Sequence, residues 1–349
     1  MTKVHLSGVR KSFGSFTAIE HLELTIESGE FVVLLGPSGC GKTTMLRMIA
    51  GLEEPSAGSI LLDGADVSNT PVQERNVGMV FQRAALFPHM TVEKNILFGL
   101  SVRGRPRGEM REKLEEMLEI VQLHDFRHRF PAQLSGGQMQ RVAIARTLIT
   151  EPSVLMMDEP LAGLDTKLRA TMRRFIRDVQ KRLRLTTIFV THDQAEAMEL
   201  ADRIAVIFDG RLAQYAPPDL LYKRPSCMAV ADFMGVSNIF PGTLVAKNRV
   251  ESAFGQLRVD EQPRCPLGAT VSLMLRAEAI DLHEHKEDTR FQAIEGRIVE
   301  RDFLGASVVY TLECGATRIA VSEPSRRLLD VGRTVWLDIA PESVWLLSH

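Results

Sequence analysis

Gly36-Pro37-Ser38-Gly39-Cys40-Gly41-Lys42-Thr43 follows directly on the apolar run Phe31-Val32-Val33-Leu34-Leu35, and this junction decides the fold. An apolar run without alternation predicts a strand buried on both faces of a parallel sheet. The eight residues after it fit G-x-x-x-x-G-K-[ST] at every fixed position, and a helix from Lys42 to about Ala50 follows. Gly36, Gly39 and Gly41 let the backbone aim its N–H groups at phosphate oxygens, and the helix N-terminus adds the positive end of its dipole. Lys42 is expected to neutralise the β- and γ-phosphates, and Thr43 to offer its hydroxyl to magnesium. The bland alternative is a glycine-rich turn with no ligand; the order strand, loop, helix argues against it.

Further apolar runs end in polar residues. Val154 to Met157 reads as a buried strand delivering Asp158 and Glu159 to the carboxyl edge of the sheet, where ligands bind. Asp158 is placed to hold magnesium through its water shell, and Glu159 to accept a proton from the attacking water. Phosphoryl transfer needs little covalent help, so positioning and charge dominate. Ile188-Phe189-Val190 leads into Thr191-His192-Asp193, and Gln82 follows Val80-Phe81. Taken singly, such a His or Gln is an ordinary strand-end residue.

Leu134-Ser135-Gly136-Gly137-Gln138 precedes a helical stretch running from Gln138 to about Thr150. Ser135 is a plausible cap, and the small residues make a second anion-binding helix terminus. With the phosphate loop upstream, this pentapeptide resembles the signature of ATP-binding cassette (ABC) ATPases. The resemblance implies ATP and Mg2+ as cofactors. ATP would be held by Phe13 (stacked on adenine), Gly36, Pro37, Ser38, Gly39, Cys40, Gly41, Lys42, Thr43 and Thr44. Thr43, Gln82 and Asp158 would surround the metal. Glu159, His192, Gln82 and Lys42 would be catalytic, with His192 on the γ-phosphate. Ser135, Gly136, Gly137 and Gln138 would serve the ATP of a second subunit, so the resemblance implies a head-to-tail homodimer. Asp165 would lie in the loop linking the two sites. The chain departs from the family there, with Ala162 where Ser is usual and Gly163 where Ala or Asn is common.

Cys40 sits in the phosphate loop beside a helix N-terminus, an environment that lowers a thiol's pKa. Two readings follow: a reactive thiol that MgATP would protect, or a small space-filling residue.

The length of 349 residues suggests about two domains. No apolar run approaches the roughly 20 residues that span a bilayer, and the N-terminus lacks a secretory apolar region. The expectation is a soluble, intracellular chain that reaches a membrane only through a partner. A net charge of −2 gives no reason to expect nucleic-acid binding. Cys40, Cys227, Cys265 and Cys314 are scattered, which suggests neither a zinc site nor a disulfide framework.

Residues 1–235 read as an α/β P-loop NTPase cassette. Met110, Leu114, Met117, Leu118 and Val121 recur at helical spacing and mark a helical subdomain at about 84–150. Leu168 to Arg184 predicts a further amphipathic helix whose arginines form a solvated face. From 236 to 349 short alternating runs (Val271 to Leu275, Ser307 to Leu312, Val335 to Ile339) predict an all-β domain. Gly242-Thr243-Leu244-Val245 and Gly296-Arg297-Ile298-Val299 share one pattern, which permits a duplicated β unit. The resemblance supplies an OB-like or TOBE domain here. The chain departs from it at Arg276-Ala277-Glu278, where Arg-Pro-Glu is usual.

The whole chain is similar to the ATPase subunits of ABC importers. That implies a peripheral protein on the cytoplasmic face of the inner membrane, working as a homodimer beneath two transmembrane permease subunits. The segment Ala85-Leu86-Phe87-Pro88-His89 would face such a partner, and an external solute-binding protein would deliver the cargo. Gly235-Val236-Ser237-Asn238-Ile239-Phe240-Pro241-Gly242, with Asn238 as its main cue, resembles polyamine, ferric-iron and related importers more than sugar importers; the cargo expected is polyamine first, then ferric iron, then phosphonate, thiamine or sulfate, with sugar also open. A soluble non-transport ABC ATPase and a ligand-sensing regulator are the readings from other classes.

Overall fold

The computed structural model describes residues 2–260 and 265–347. Contacts divide the chain into two compact units, with the division between Asp219 and Leu220.

The first unit runs β1 (Val4–Phe13), β2 (Phe16–Ile26), β3 (Phe31–Leu35), α1 (Lys42–Ala50), β4 (Ala57–Leu62), β5 (Ala65–Asp66), β6 (Val77–Val80), α2 (Val92–Val102), α3 (Arg107–Val121), α4 (Gly136–Leu148), β7 (Val154–Asp158), α5 (Thr166–Leu183), β8 (Thr186–Thr191), α6 (Gln194–Leu200), β9 (Arg203–Phe208) and β10 (Arg211–Ala216). Its strands form one sheet in the order β5-β4-β1-β2-β10-β9-β3-β8-β7-β6. The run β9-β3-β8-β7-β6 is parallel. β3 and β8 are buried at every residue; β3 is accordingly apolar throughout, and the buried hydroxyls of Thr186, Thr187 and Thr191 in β8 are each hydrogen-bonded.

Register places the site. Leu35 pairs with Thr191, Val190 with Asp158, and Met157 with Val80. The residues that follow β3, β8, β7 and β6 therefore emerge side by side at one carboxyl edge.

Two helix starts differ from the sequence reading. α4 begins at Gly136, capped by Ser135, and α5 begins at Thr166, capped by Asp165. In both, the cap side chain supplies the acceptor for the first turn, so the helix reaches further back than its apolar residues do. Wholly buried Asn95 on α2 donates to the carbonyls of Phe87, Met90 and Thr91 and accepts from Phe87 N. It thereby fixes the segment after Gln82. Arg75, also buried, donates to Met48 O and Ile49 O and satisfies the last carbonyls of α1.

α7 (Pro218–Lys223) carries the chain into the second unit, followed by α8 (Met228–Phe233), β11 (Asn238–Ala246), β12 (Arg249–Ser252), β13 (Gly255–Arg258), β14 (Thr270–Leu275), β15 (Ile280–His283), β16 (Ala293–Phe303), β17 (Ser307–Cys314), β18 (Thr317–Pro324), β19 (Thr334–Ile339) and β20 (Val344–Leu347). Two five-stranded sheets form, β13-β12-β11-β14-β20 and β15-β19-β16-β17-β18. β11 to β14 and β16 to β19 repeat one topology. Each half then makes a short 3-10 turn and hands its fifth strand to the other half's sheet. The glycine echo seen in the sequence marks equivalent places. A Cβ on Gly242 would lie 2.5 Å from Val250 Cγ1 on β12, and one on Gly296 would lie 2.8 Å from Cys314 Sγ on β17. After α8 this unit is all β, as the alternating runs foretell, and its two interlocked sheets fit the OB-like domain that the resemblance implies.

Candidate active site

The loop after β3 wraps the N-terminus of α1. Gly36 is needed for space, because a Cβ there would lie 2.2 Å from Ile207 O. Lys42 is buried, and its Nζ donates to Gly36 O and Pro37 O at 2.8 Å each. The ammonium is thus held over the loop by carbonyls and paired with no carboxylate among the described residues. Cys40 is 4% exposed and belongs to the core beneath the loop, as a space-filling residue would.

A cavity of about 220 Å³ opens above this loop, lined by Ser38, Gly39, Gly41, Lys42, Thr43, Thr44 and Glu159, with Phe13, Phe16 and Ala18 on its other side. Phe13 and Phe16 face each other across the β1–β2 turn and are exposed. The structure thus offers two aromatic rings at this wall, where the sequence reading singled out Phe13.

On the edge beside the loop, Thr43 Oγ1 donates to Asp158 Oδ1 at 3.0 Å. Burial pushes the Asp158 carboxyl above the usual carboxylate range, against the pull of its Thr43 hydrogen bond. Glu159 has a left-handed backbone, φ 44°, anchored by its N–H on Val190 O. Its carboxylate meets His192 Nδ1 at 3.2 Å and accepts from Gln82 Nε2 at 3.4 Å. Lys42, Thr43, Gln82, Asp158, Glu159 and His192 therefore form one cluster.

The available metal ligands are a hydroxyl, a carboxylate and a side-chain amide. These hard oxygen donors suit Mg2+, which keeps several waters and takes further oxygens from phosphates. No group of three or more His, Cys, Asp or Glu that could hold a metal ion occurs among the described residues.

The signature residues stand apart. Ser135, Gly136, Gly137 and Gln138 do not line the cavity. Ser135 Oγ accepts from Gln138 N at 3.3 Å, and Gln138 Oε1 accepts from Ser135 N at 2.9 Å, closing a capping box. Asp165 Oδ1 caps α5 through Leu168 N.

Two contributors were missed in the sequence. Arg146 donates to Ala84 O and Ala85 O, bracing the segment that follows Gln82. Arg169 joins the Leu164 carbonyl to Asp193, the residue after His192. Arg169 lies four residues after the α5 cap, the only local hint of its reach; nothing local to Arg146 pointed to its own.

Residues 19–162 match the ABC transporter family and residues 273–347 the TOBE domain family. The chain is 47% identical to the Fe(3+) ions import ATP-binding protein FbpC of Rhizobium etli, over 89% of this chain and 87% of that one. It is 43% identical to the spermidine/putrescine import ATP-binding protein PotA of Thermobifida fusca, over 99% of this chain and 93% of that one. Among solved structures, cbiO1 of Clostridium perfringens, part of the ABC transporter complex cbiONQ, matches with a TM-score of 0.60 and 29% identity, over 63% of this chain and 90% of that one. The cassette MJ0796, a dimer bound to ADP and Pi after hydrolysis, matches at 0.55 and 32% identity, over 62% of this chain and 98% of that one.

Proposed function

This chain belongs to the ATP-binding subunits of ABC importers, ATPases coupled to transport, and from that premise we propose how it divides its work. The observation that carries the reading is the Glu159 carboxylate, held between Gln82 and His192 at the edge of the phosphate cavity. ATP lies along the loop with its phosphates on the backbone N–H groups of Gly39 to Thr44. Lys42 leaves its loop carbonyls for the β- and γ-oxygens. Thr43, Asp158 and Gln82 would hold Mg2+, which when bound would supply charge neutralisation at the phosphates. Glu159 takes the proton of the attacking water, while His192 orients Glu159 and contacts the γ-phosphate. Phe13 stacks on the base, with Phe16 beside it.

Ser135 to Gln138 are absent from the cavity that holds Lys42. This supports a homodimer in which each signature completes the partner's site, with Asp165 in the connecting turn. Mixing Ser135→Arg subunits with Lys42→Ala subunits tests it. A heterodimer with shared sites keeps one complete site and recovers hydrolysis that neither parent shows. A mixed dimer that forms and stays inactive counts against sharing.

Two permease subunits and an external binding protein complete the importer, with this chain peripheral on the cytoplasmic side. No helix among the described residues is long and apolar enough to cross a membrane, which fits that arrangement. For the cargo, the 47% identity to a ferric-ion import protein favours ferric iron. Polyamine is the second reading, favoured by the 43% match over 99% of the chain. Asn238, the residue behind the resemblance to polyamine and ferric-iron rather than sugar importers, is buried, donates to Ala320 O at 2.7 Å and accepts from Ala320 N at 2.8 Å. That is a structural clip. Uptake of ferric iron and of spermidine by vesicles holding the complete transporter decides between the two.

A further inference from the structure

Arg169 stands one turn into α5 and reaches three separate places. Its Nη2 donates to Leu164 O at 3.3 Å, in the turn just before Asp165. Its Nη1 donates to Asp193 Oδ2 at 3.2 Å. Its Nε lies 3.7 Å from Glu196 Oε1 and has no hydrogen-bond partner of its own. Both acids belong to the machinery that seats His192. Asp193 caps α6 by accepting from Ala195 N and Glu196 N. Buried Glu196 accepts from Thr191 Oγ1 at 2.6 Å, and the same hydroxyl accepts from Asp193 N at 3.0 Å. Thr191 and Asp193, the two chain neighbours of His192, are therefore held by Glu196 and Arg169.

The same guanidinium borders a cavity of about 140 Å³ whose other walls include Glu159, His192 and the Leu161–Gly163 turn. The turn before Asp165 and the His192 segment thus face each other across a small void, bridged by the Arg169 side chain as well as by Glu159, whose carbonyl accepts from Ala162 N and whose carboxylate meets His192. An ordinary surface ion pair would join only two side chains. This one joins a backbone carbonyl in one loop to the helix cap of another.

We propose that Arg169 is a positioning residue that couples the Leu164–Asp165 turn to His192, setting how His192 meets Glu159. Movement of the turn is passed to His192 through a rigid guanidinium with two donors on separate loops, a geometry that Lys cannot reproduce. The inference rests on the reading of Glu159 and His192 as the hydrolytic pair.

The test is a double-mutant cycle in the full-length chain, with hydrolysis of MgATP and binding of ATP measured separately. Arg169→Ala is expected to lower kcat by about tenfold or more while leaving the Kd for ATP within about twofold. In a His192→Ala background, the same change is expected to have almost no further effect, because the residue it acts through is gone. Arg169→Lys, which keeps the charge near Glu196, is expected to lose rate by an intermediate factor, and it carries the cycle if the Ala variant does not fold. Losses that multiply in the double variant, or an Arg169→Ala enzyme with normal kcat, overturn the proposal. Failure of the underlying reading looks different: His192→Ala alone would then hydrolyse ATP at the normal rate.

Discussion

Glu159 Oε1 lies 3.2 Å from His192 Nδ1, although the two residues are 33 apart in sequence and end different strands. The contact exists because β7 and β8 are adjacent and parallel, with Asp158 opposite Val190. Glu159 holds its positive φ there with its N–H on Val190 O.

Replacing His192 by Ala removes one of the two groups that orient Glu159. Hydrolysis is expected to fall by about a hundredfold, with ATP affinity little changed. Steady-state kinetics alongside equilibrium nucleotide binding measure the split. An equal loss in affinity and rate would assign His192 to nucleotide binding.

Asp158 gives a pH-dependent signature. Its folded-state carboxyl titrates above the ordinary value because burial disfavours the charge. The stability it contributes is therefore present below the ordinary Asp pKa and is lost as pH rises through the folded value. Asp158→Asn removes that loss. The nucleotide-free variant is expected to melt higher than the unaltered chain near pH 7, with the gap closing toward about pH 4. Thermal melts across that range without magnesium measure it; a lower melting point at neutral pH contradicts the assignment.

The thiols should separate into two classes. Cys40 and Cys314 are buried, and burial pushes the Cys314 thiol up to about 11. Cys227 and Cys265 are partly exposed. A thiol reagent on the native chain is expected to label Cys227 and Cys265 first, and all four cysteines only after unfolding. Rapid labelling of Cys40 that MgATP blocks would restore the reactive reading of that residue.

Asn238→Ala leaves both the N–H and the carbonyl of Ala320 without their buried partner. A loss of about 1–3 kcal/mol is expected, from two hydrogen bonds removed at a partly buried strand edge. Denaturant melts of the full chain measure it, and the transported solute should not change. A variant as stable as the unaltered chain would contradict the clip.

Much of this site was legible because its chemistry is local. Phe31 to Thr43 carries strand, loop and helix in one stretch, and Asp158, Glu159, His192 and Gln82 each end an apolar run. The register that gathers them follows from those runs being buried parallel strands. Arg169, Arg146, Arg75 and Asn95 were not legible, because each works by hydrogen-bonding backbone that its own neighbours do not foretell. An arginine on an amphipathic helix reads as solvated until the loops packed against it are known. Asn238 shows the converse: a residue conspicuous in the sequence turns out to pair with Ala320, 82 positions away.

Glu159 is proposed as the base of an ATPase whose sites lie between two subunits. Glu159→Gln tests it most directly, through MgATP turnover and molecular mass in solution measured on the same sample. The account predicts a variant that binds MgATP, hydrolyses it about a hundred- to ten-thousandfold more slowly, and accumulates as a dimer. Hydrolysis at the normal rate would contradict it.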